Sequence, residues 1–264
     1  MNDATDPAEM AAFLRELAQC AARETLPRFR EPIAVENKED AAFDPVTEAD
    51  RAAERAIRQA IEERFPDDGI EGEEFGTVRA DATRQWVIDP VDGTRSFICG
   101  VPLWGTLVGL VEDGTAVAGL LAQPYLGETF IADGERAFVE SRFGSRDLRV
   151  SDCRTLSAAR LFTTDPHLWR GDEAVGFERL LGSIKLHRYG ADCYGFAMLA
   201  SGQADLVVEP GLNSYDIMAL IPLVRQAGGT IGRADGGPAE DAGTIVAAAT
   251  PDLYDAACER LRGG

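Results

Sequence analysis

Four β-rich runs follow one another at residues 106–111, 116–122, 129–132 and 136–139, separated by short turns such as Asp113-Gly114 and Asp133-Gly134. Gaps this short leave no room for a parallel crossover, so these strands are expected to pair antiparallel as a meander. An apolar run at 86–88 precedes them. Beyond about residue 145 the pattern changes. Strand-like runs at 161–164, 184–188, 206–208 and 244–248 alternate with helical patterns at 172–181, 192–200, 215–227 and 251–262. Such alternation favours layered α/β packing. The 264 residues, 45% of them hydrophobic, suffice for a substantial core. The expectation is one α/β (α+β layered) domain with subdomains of about 1–145 and 146–264.

The amino-terminal part reads as helical. Asp6 and Pro7 suit an N-cap and N1, and Phe13, Leu14, Leu17, Ala18 and Ala21 recur at helical spacing, so a helix is expected over 7–29. Residues 30–46 read as a polar loop. Thr47 and Asp50 suit a capping box for a second helix, whose apolar face is Ala53, Ala56, Ile57, Ala60 and Ile61 and whose end is Pro66. Gly72-Glu73-Glu74 falls in a loop.

A net charge of −19, from 45 acids against 26 bases, repels nucleic acid and anionic lipid, so neither is expected as a partner. The same surface repels a phosphorylated ligand unless cations are held at the site. Five scattered cysteines without Cys-x-x-Cys spacing argue against a disulfide framework or zinc ribbon. They suit a reducing compartment, and the polar first ten residues are unlike a signal peptide, so the expected location is cytoplasmic. No apolar run reaches about 18 residues, so no membrane span is expected. The only histidines are His167 and His187. Histidine-rich zinc catalysis is therefore disfavoured, and Gly-x-Ser-x-Gly is absent. Any chemistry falls mainly to carboxylates.

The stretch "WVIDPVDGTRSF", residues 86–97, concentrates them. An apolar strand runs into Asp89; Pro90 has no N–H for a ladder, so pairing is expected to stop there. Asp92 follows three positions later. Both carboxylates can converge at the sheet's end with the Val91 carbonyl between them. Gly93 permits close backbone approach, and if Thr94 opens a short helix its N–H groups face an anion. Oxygen donors without sulfur or imidazole select Mg²⁺ or Mn²⁺. An EF-hand does not fit: with Gly93 at loop position six, position one is Ile88. Taken alone, the stretch also reads as a solvated acidic turn.

Four blocks together are more specific. They are Asp44-Pro45-Val46-Thr47-Glu48-Ala49-Asp50, Gly72-Glu73-Glu74, Asp89-Pro90-Val91-Asp92-Gly93-Thr94, and Tyr215-Asp216-Ile217-Met218-Ala219 followed by Ala227-Gly228-Gly229. In order and spacing they resemble the inositol monophosphatase superfamily of metal-dependent phosphatases, over residues 44–229. The resemblance implies a five-layer αβαβα sandwich of the inositol monophosphatase / fructose-bisphosphatase type, homodimeric assembly and moderate lithium sensitivity. It also implies Mg²⁺-dependent phosphate monoester hydrolysis with two to three cations per site, Mn²⁺ being an alternative, by in-line attack of a metal-activated water.

Residue by residue, Glu73, Asp89, Asp92 and Asp216 match metal-binding carboxylates, and Val91 matches a carbonyl ligand. Gly93 and Thr94 match phosphate-binding positions, and Asp50 matches the aspartate that pairs with the threonine hydroxyl. On this reading Thr94, Asp50 and Glu73 are catalytic. Lys38 falls near a family lysine. Glu74, Asp44 and Glu48 read as capping or surface acids.

The second half bears on the ester. "GADCYGFAMLASGQADLVVEPGLNSYD" sets Asp192 at the start of a helix and Glu209 at a strand end. Glu209 matches the family position that contacts the substrate's organic part. Asp192 replaces a small residue and Tyr215 a Trp of inositol phosphatases. A carboxylate pair suits a cationic leaving group. With "DPVDGTRSFICGVPLWGTLVGL" and "GLNSYDIMALIPLV", these features resemble the histidinol-phosphatase branch, which implies L-histidinol phosphate as substrate and a place in histidine biosynthesis. Asp192 also reads as an N-cap. Arg95 reads as steering the phosphate or as pairing with acids, and Trp104 as core. Two alternatives stand: an inositol-1-phosphate or broad sugar-phosphate phosphatase, and a non-catalytic cation-binding scaffold.

Overall fold

The computed structural model describes residues 6–32, 34–37 and 45–263. Helix α1 (Pro7–Thr25) starts as expected: the Asp6 carboxylate accepts from Ala8 N and Glu9 N, and Pro7 occupies the first turn. It is shorter than expected, because Leu26–Arg28 is a 3-10 turn. Pro27 has no N–H to continue an α-helical ladder. The expected polar loop contains two short strands, β1 (Val35–Asn37) and β2 (Pro45–Thr47), paired antiparallel. Three-residue strands leave no period long enough to read.

Helix α2 (Glu48–Arg64) begins with the Thr47/Asp50 capping box and stops at Phe65, the residue that Pro66 biases away from helix. Strands β3 (Gly69–Gly72) and β4 (Gly76–Val78) bracket Glu73 and Glu74 in a turn. Strand β5 (Arg84–Asp92) runs parallel to β3. It is longer than the apolar run suggested. Pairing with the next strand does not stop at Pro90; it shifts register between Asp89 and Asp92 and resumes at Asp92–Gly105. The missing proline N–H falls in this bulge, and the Pro90 carbonyl accepts from Thr106 Oγ1 at 2.8 Å.

The short helix α3 (Thr94–Ile98) follows, and then the expected meander: β6 (Gly105–Glu112), β7 (Thr115–Gln123), β8 (Glu128–Ala132), β9 (Ala137–Ser141) and β10 (Gly144–Asp147). The eight-stranded sheet runs β10-β9-β8-β7-β6-β5-β3-β4.

The second half is built from β11 (Arg160–Thr163), α4 (Gly171–Leu181), β12 (Leu186–Tyr189), α5 (Tyr194–Ala200), β13 (Leu206–Leu212), α6 (Ser214–Ile217), α7 (Leu220–Gln226), β14 (Thr230–Arg233), β15 (Gly243–Ala248) and α8 (Pro251–Arg262). Its sheet has the order β12-β11-β13-β15-β14. The helix expected over 215–227 is broken, because Pro222 cannot donate to the Met218 carbonyl. Strand β14 had no counterpart among the expected elements.

Strand alternation builds the layers. Trp86, Ile88, Val108 and Leu110 pack on Phe13, Leu14, Leu17, Ile57 and Ile61 of α1 and α2. On the opposite face of that sheet, Val87 and Leu107 pack with Phe196, Leu199, Leu220 and Leu223 of α5 and α7, together with Val207 and Ile245 of the smaller sheet. The smaller sheet's outer face, with Leu161, Leu206, Val208 and Val246, is covered by Phe177, Leu180, Leu253 and Leu261 of α4 and α8. The result is the expected five-layer αβαβα sandwich. Gly109 and Gly119, paired across β6 and β7, let the α6–α7 break sit directly on the sheet. A Cβ at Gly109 would lie 2.6 Å from the Met218 carbonyl carbon.

Candidate metal centre

Strand β5 delivers Asp89 and Asp92 to one end of the larger sheet, and the break before α7 brings Asp216 against them. One carboxylate oxygen from each of the three lies within 4.8 Å of the others. Asp89 is buried, and its backbone geometry is fixed locally: Oδ1 accepts from Val91 N at 3.0 Å. Asp216 closes its own capping box, accepting from Asn213 N at 2.6 Å. Glu73 is not one of the three acids of this group; it lies in the turn after β3, where its N–H donates to the Ile88 carbonyl at 3.1 Å. It also shares a hydrogen bond with the Asp89 carboxyl.

Such crowding is electrostatically unfavourable. Burial holds Asp89 well above the usual carboxylate range, and the charges of Glu73, Asp92 and Asp216 push it further. Asp92 is raised to about 8 by burial, then by Asp192 and Asp216, against the opposing effect of the Cys193 N–H that it accepts at 2.7 Å. Clustered acids of this kind suit a divalent cation, and an all-oxygen donor set fits Mg²⁺ or Mn²⁺. The Val91 carbonyl faces the same end, where it accepts from Thr94 Oγ1 at 3.0 Å.

Gly93 adopts φ +82°, which glycine tolerates without strain, and turns the chain into α3. The Thr94 hydroxyl also lies 3.4 Å from Asp50 Oδ1. The other Asp50 oxygen is held by Thr47 through its N–H (2.9 Å) and its hydroxyl. Burial raises Asp50 to about 6, against the lowering effect of these Thr47 bonds. Beneath α3, Trp104 is fully buried with Phe29, Ala49, Val91 and Phe97, as expected of a core residue.

Asp192 lies over Gly93: a Cβ on that glycine would be 3.2 Å from the aspartate carboxylate. It does not cap α5, whose N-cap is Cys193 with no side-chain bond. Instead its Oδ2 accepts from Ser96 Oγ at 2.9 Å. Asp192 has φ +46°, a left-handed conformation that Asp adopts more readily than most residues. Burial raises its carboxyl, while the Ser96 bond and the Arg95 charge oppose the shift. Arg95 is exposed.

Glu209 is not at a strand end. Strand β13 continues to Leu212 through a register shift after Glu209. The Glu209 carboxylate is buried and accepts from Thr163 Oγ1 (3.2 Å), Thr164 N (2.7 Å) and Thr164 Oγ1 (3.0 Å). Burial raises its carboxyl well above normal, and the neighbouring Asp192 charge adds to the shift. Glu48 is exposed and pairs with Arg55. Lys38 and Asp44 lie outside the described residues. Glu54 entered none of the sequence arguments. Its place on the buried α2 stripe with Asp50, Ile57 and Ile61 was the available signal.

A family model described as the inositol monophosphatase family matches residues 6–263. A histidinol-phosphatase of Chlorobaculum parvum is 42% identical over 81% of this chain and 82% of its own length. An inositol-1-monophosphatase of Rhizobium meliloti is 35% identical over 77% of each chain. The structure of an inositol monophosphatase from Zymomonas mobilis superposes with a TM-score of 0.86 at 35% identity, covering 98% of this chain and 100% of that one.

Proposed function

The chain belongs to the inositol monophosphatase family of metal-dependent phosphomonoesterases, and from that premise we propose that it hydrolyses L-histidinol phosphate to L-histidinol and phosphate in a Mg²⁺-dependent reaction. The observation that carries the substrate assignment is Asp192, seated over Gly93 and within electrostatic reach of Glu209. A phosphate seat bordered by carboxylates favours an ester whose organic part is cationic, through charge-assisted hydrogen bonds. The similarity to a protein named histidinol-phosphatase supports the same choice.

Glu73, Asp89, Asp92 and Asp216, with the Val91 carbonyl, would hold two to three divalent cations, Mg²⁺ or Mn²⁺. Divalent cations at such a site neutralise phosphate charge, acidify a water and stabilise a leaving alkoxide. The Gly93 turn and the first N–H groups of α3 receive the phosphate, with Arg95 beside them. Thr94 Oγ1 takes a proton from the attacking water and passes its own to Asp50 Oδ1, which is ionised above about pH 6. Transfer is in line and direct to water. Asp192, fixed by Ser96, orients the substrate's ammonium, and Glu209 borders the same side.

This reading carries a cytoplasmic, homodimeric enzyme of histidine biosynthesis, a single catalytic domain with halves of about 1–145 and 146–264. The five cysteines, all free thiols, accord with a reducing compartment. A second reading, an inositol-1-phosphate phosphatase, is favoured by the relatives of that name and the match to the Zymomonas mobilis enzyme. Phosphate release from L-histidinol phosphate, with Mg²⁺ and with chelator, tests the proposal. Release that requires the cation is expected; none from this ester would remove it as substrate, and none from a broad ester panel that includes inositol 1-phosphate, under Mg²⁺ or Mn²⁺, would leave a non-catalytic scaffold.

A further inference from the structure

Helix α2 carries a second buried acid besides Asp50. Glu54 is fully buried and sits one turn further along the stripe that faces the larger sheet. Its Oε2 accepts from Glu74 N at 2.7 Å, and its Oε1 from Phe75 N at 3.3 Å. These are the two residues directly after Glu73. Arg58, one turn on, donates from Nε to Glu54 Oε1 at 2.7 Å and from Nη2 to the Gly76 carbonyl. On the near side of the turn, a Cβ at Gly72 would overlap Glu54 Oε1, so glycine is what admits the carboxylate.

The turn is thus pinned from two directions. Glu73 N donates to the Ile88 carbonyl, the residue before Asp89, and the next two N–H groups converge on Glu54. We propose that Glu54 is a positioning residue that sets the Glu73 carboxylate against Asp89, so that the two close on a divalent cation together. This rests on the reading of Glu73 as a cation-binding carboxylate. An ionised acceptor suits the task, since charge-assisted bonds to backbone N–H groups are about twice as strong as neutral ones. Arg58 offsets the desolvation of the buried charge. A purely structural brace would need no particular relation to Glu73, whereas these bonds fall on the peptide units that immediately follow it.

The experiment is Mn²⁺ binding by calorimetry to the full chain, substrate absent, for wild type, Glu54→Gln, Glu73→Gln and the double variant. Glu54→Gln keeps the shape but turns an acceptor into a donor facing the turn. The expected result is a dissociation constant raised about ten- to hundredfold, the range for residues that orient a metal ligand. In the Glu73→Gln background the same change should add nothing. Unchanged affinity in Glu54→Gln, or an equal loss in the Glu73→Gln background, overturns the proposal. If Glu73→Gln alone binds Mn²⁺ as wild type does, the reading of Glu73 fails first and this inference falls with it. Should Glu54→Gln fail to fold, Glu54→Asp, one methylene short of the turn, is read by the same criteria.

Discussion

Thr94 of α3 and Asp50 of α2 meet across the end of β5, with the threonine Oγ1 3.4 Å from Asp50 Oδ1 and 3.0 Å from the Val91 carbonyl. The hydroxyl is shared between the two acceptors, with the shorter contact on the carbonyl. A cation held by the Val91 carbonyl would draw on that oxygen and leave Asp50 as the hydroxyl's partner. Replacing Thr94 by Val keeps the shape and removes the hydroxyl. The expected loss in kcat is about 10²- to 10⁴-fold, with Mn²⁺ affinity retained. Steady-state kinetics beside calorimetry would check this, and a loss of only a few-fold would remove Thr94 from the proton path.

Asp89 sits among Glu73, Asp92 and Asp216 and feels all three charges. Asp89→Asn should abolish turnover and cation binding while leaving the fold intact, because the amide relieves like-charge crowding. Circular dichroism and thermal melting in chelator would show a folded protein no less stable than wild type at alkaline pH. Near-normal activity would sink the assignment.

The cation-free protein should lose stability as pH rises. Asp50 is raised to about 6 and Asp92 to about 8, from an ordinary value near 3.9. Between about pH 4 and pH 8 the folded chain therefore holds protons that the unfolded chain has released, and stability falls across that window. The penalty is absent at lower pH and complete above about 8. Mg²⁺ held by Asp92 would compete with the proton on that carboxyl. Melting in chelator should give a lower Tm at about pH 8.5 than at about pH 5.5, with the gap narrowed by Mg²⁺. An unchanged Tm in chelator would contradict the account.

The approach of the α6–α7 break to the larger sheet depends on Gly119. A Cβ there would overlap the Ala219 carbonyl oxygen. Gly119→Ala should cost about 1–3 kcal/mol by overpacking. Because Asp216 rides on the displaced segment, cation affinity should fall as well. Urea denaturation paired with Mn²⁺ calorimetry tests both consequences, and stability within error of wild type would show that the contact relaxes freely.

The parts legible in the sequence share a physical cause: each is specified by neighbours along the chain. Asp6 with Pro7, and Thr47 with Asp50, announce helix starts because caps act over three residues. The meander shows in strand period and turn length. Asp89 and Asp92 were legible as a pair, since β5 alone positions both. The less legible parts depend on packing between distant segments. Strand β5 bulges at Pro90 and resumes pairing because β6, distant in sequence, continues alongside it, with Thr106 Oγ1 donating to the Pro90 carbonyl. Strands β1 and β2 are too short to carry a period. Asp192 reads both as a substrate contact and as a cap from its place before a helix, and it is the bond from Ser96 of α3, distant in sequence, that accompanies the loss of the cap. Glu54 was hidden because an acid at a buried helical position looks like a surface residue until the turn it holds is in view.

Asp192 is the residue on which the substrate assignment turns, and the most direct measurement is kcat/KM for L-histidinol phosphate and for inositol 1-phosphate under the same Mg²⁺, in wild type and in Asp192→Ala. The account predicts a higher kcat/KM for histidinol phosphate in the wild type, and a selective loss of that preference in the variant, with the inositol ester little changed. A higher kcat/KM for the inositol ester in the wild-type protein would contradict it.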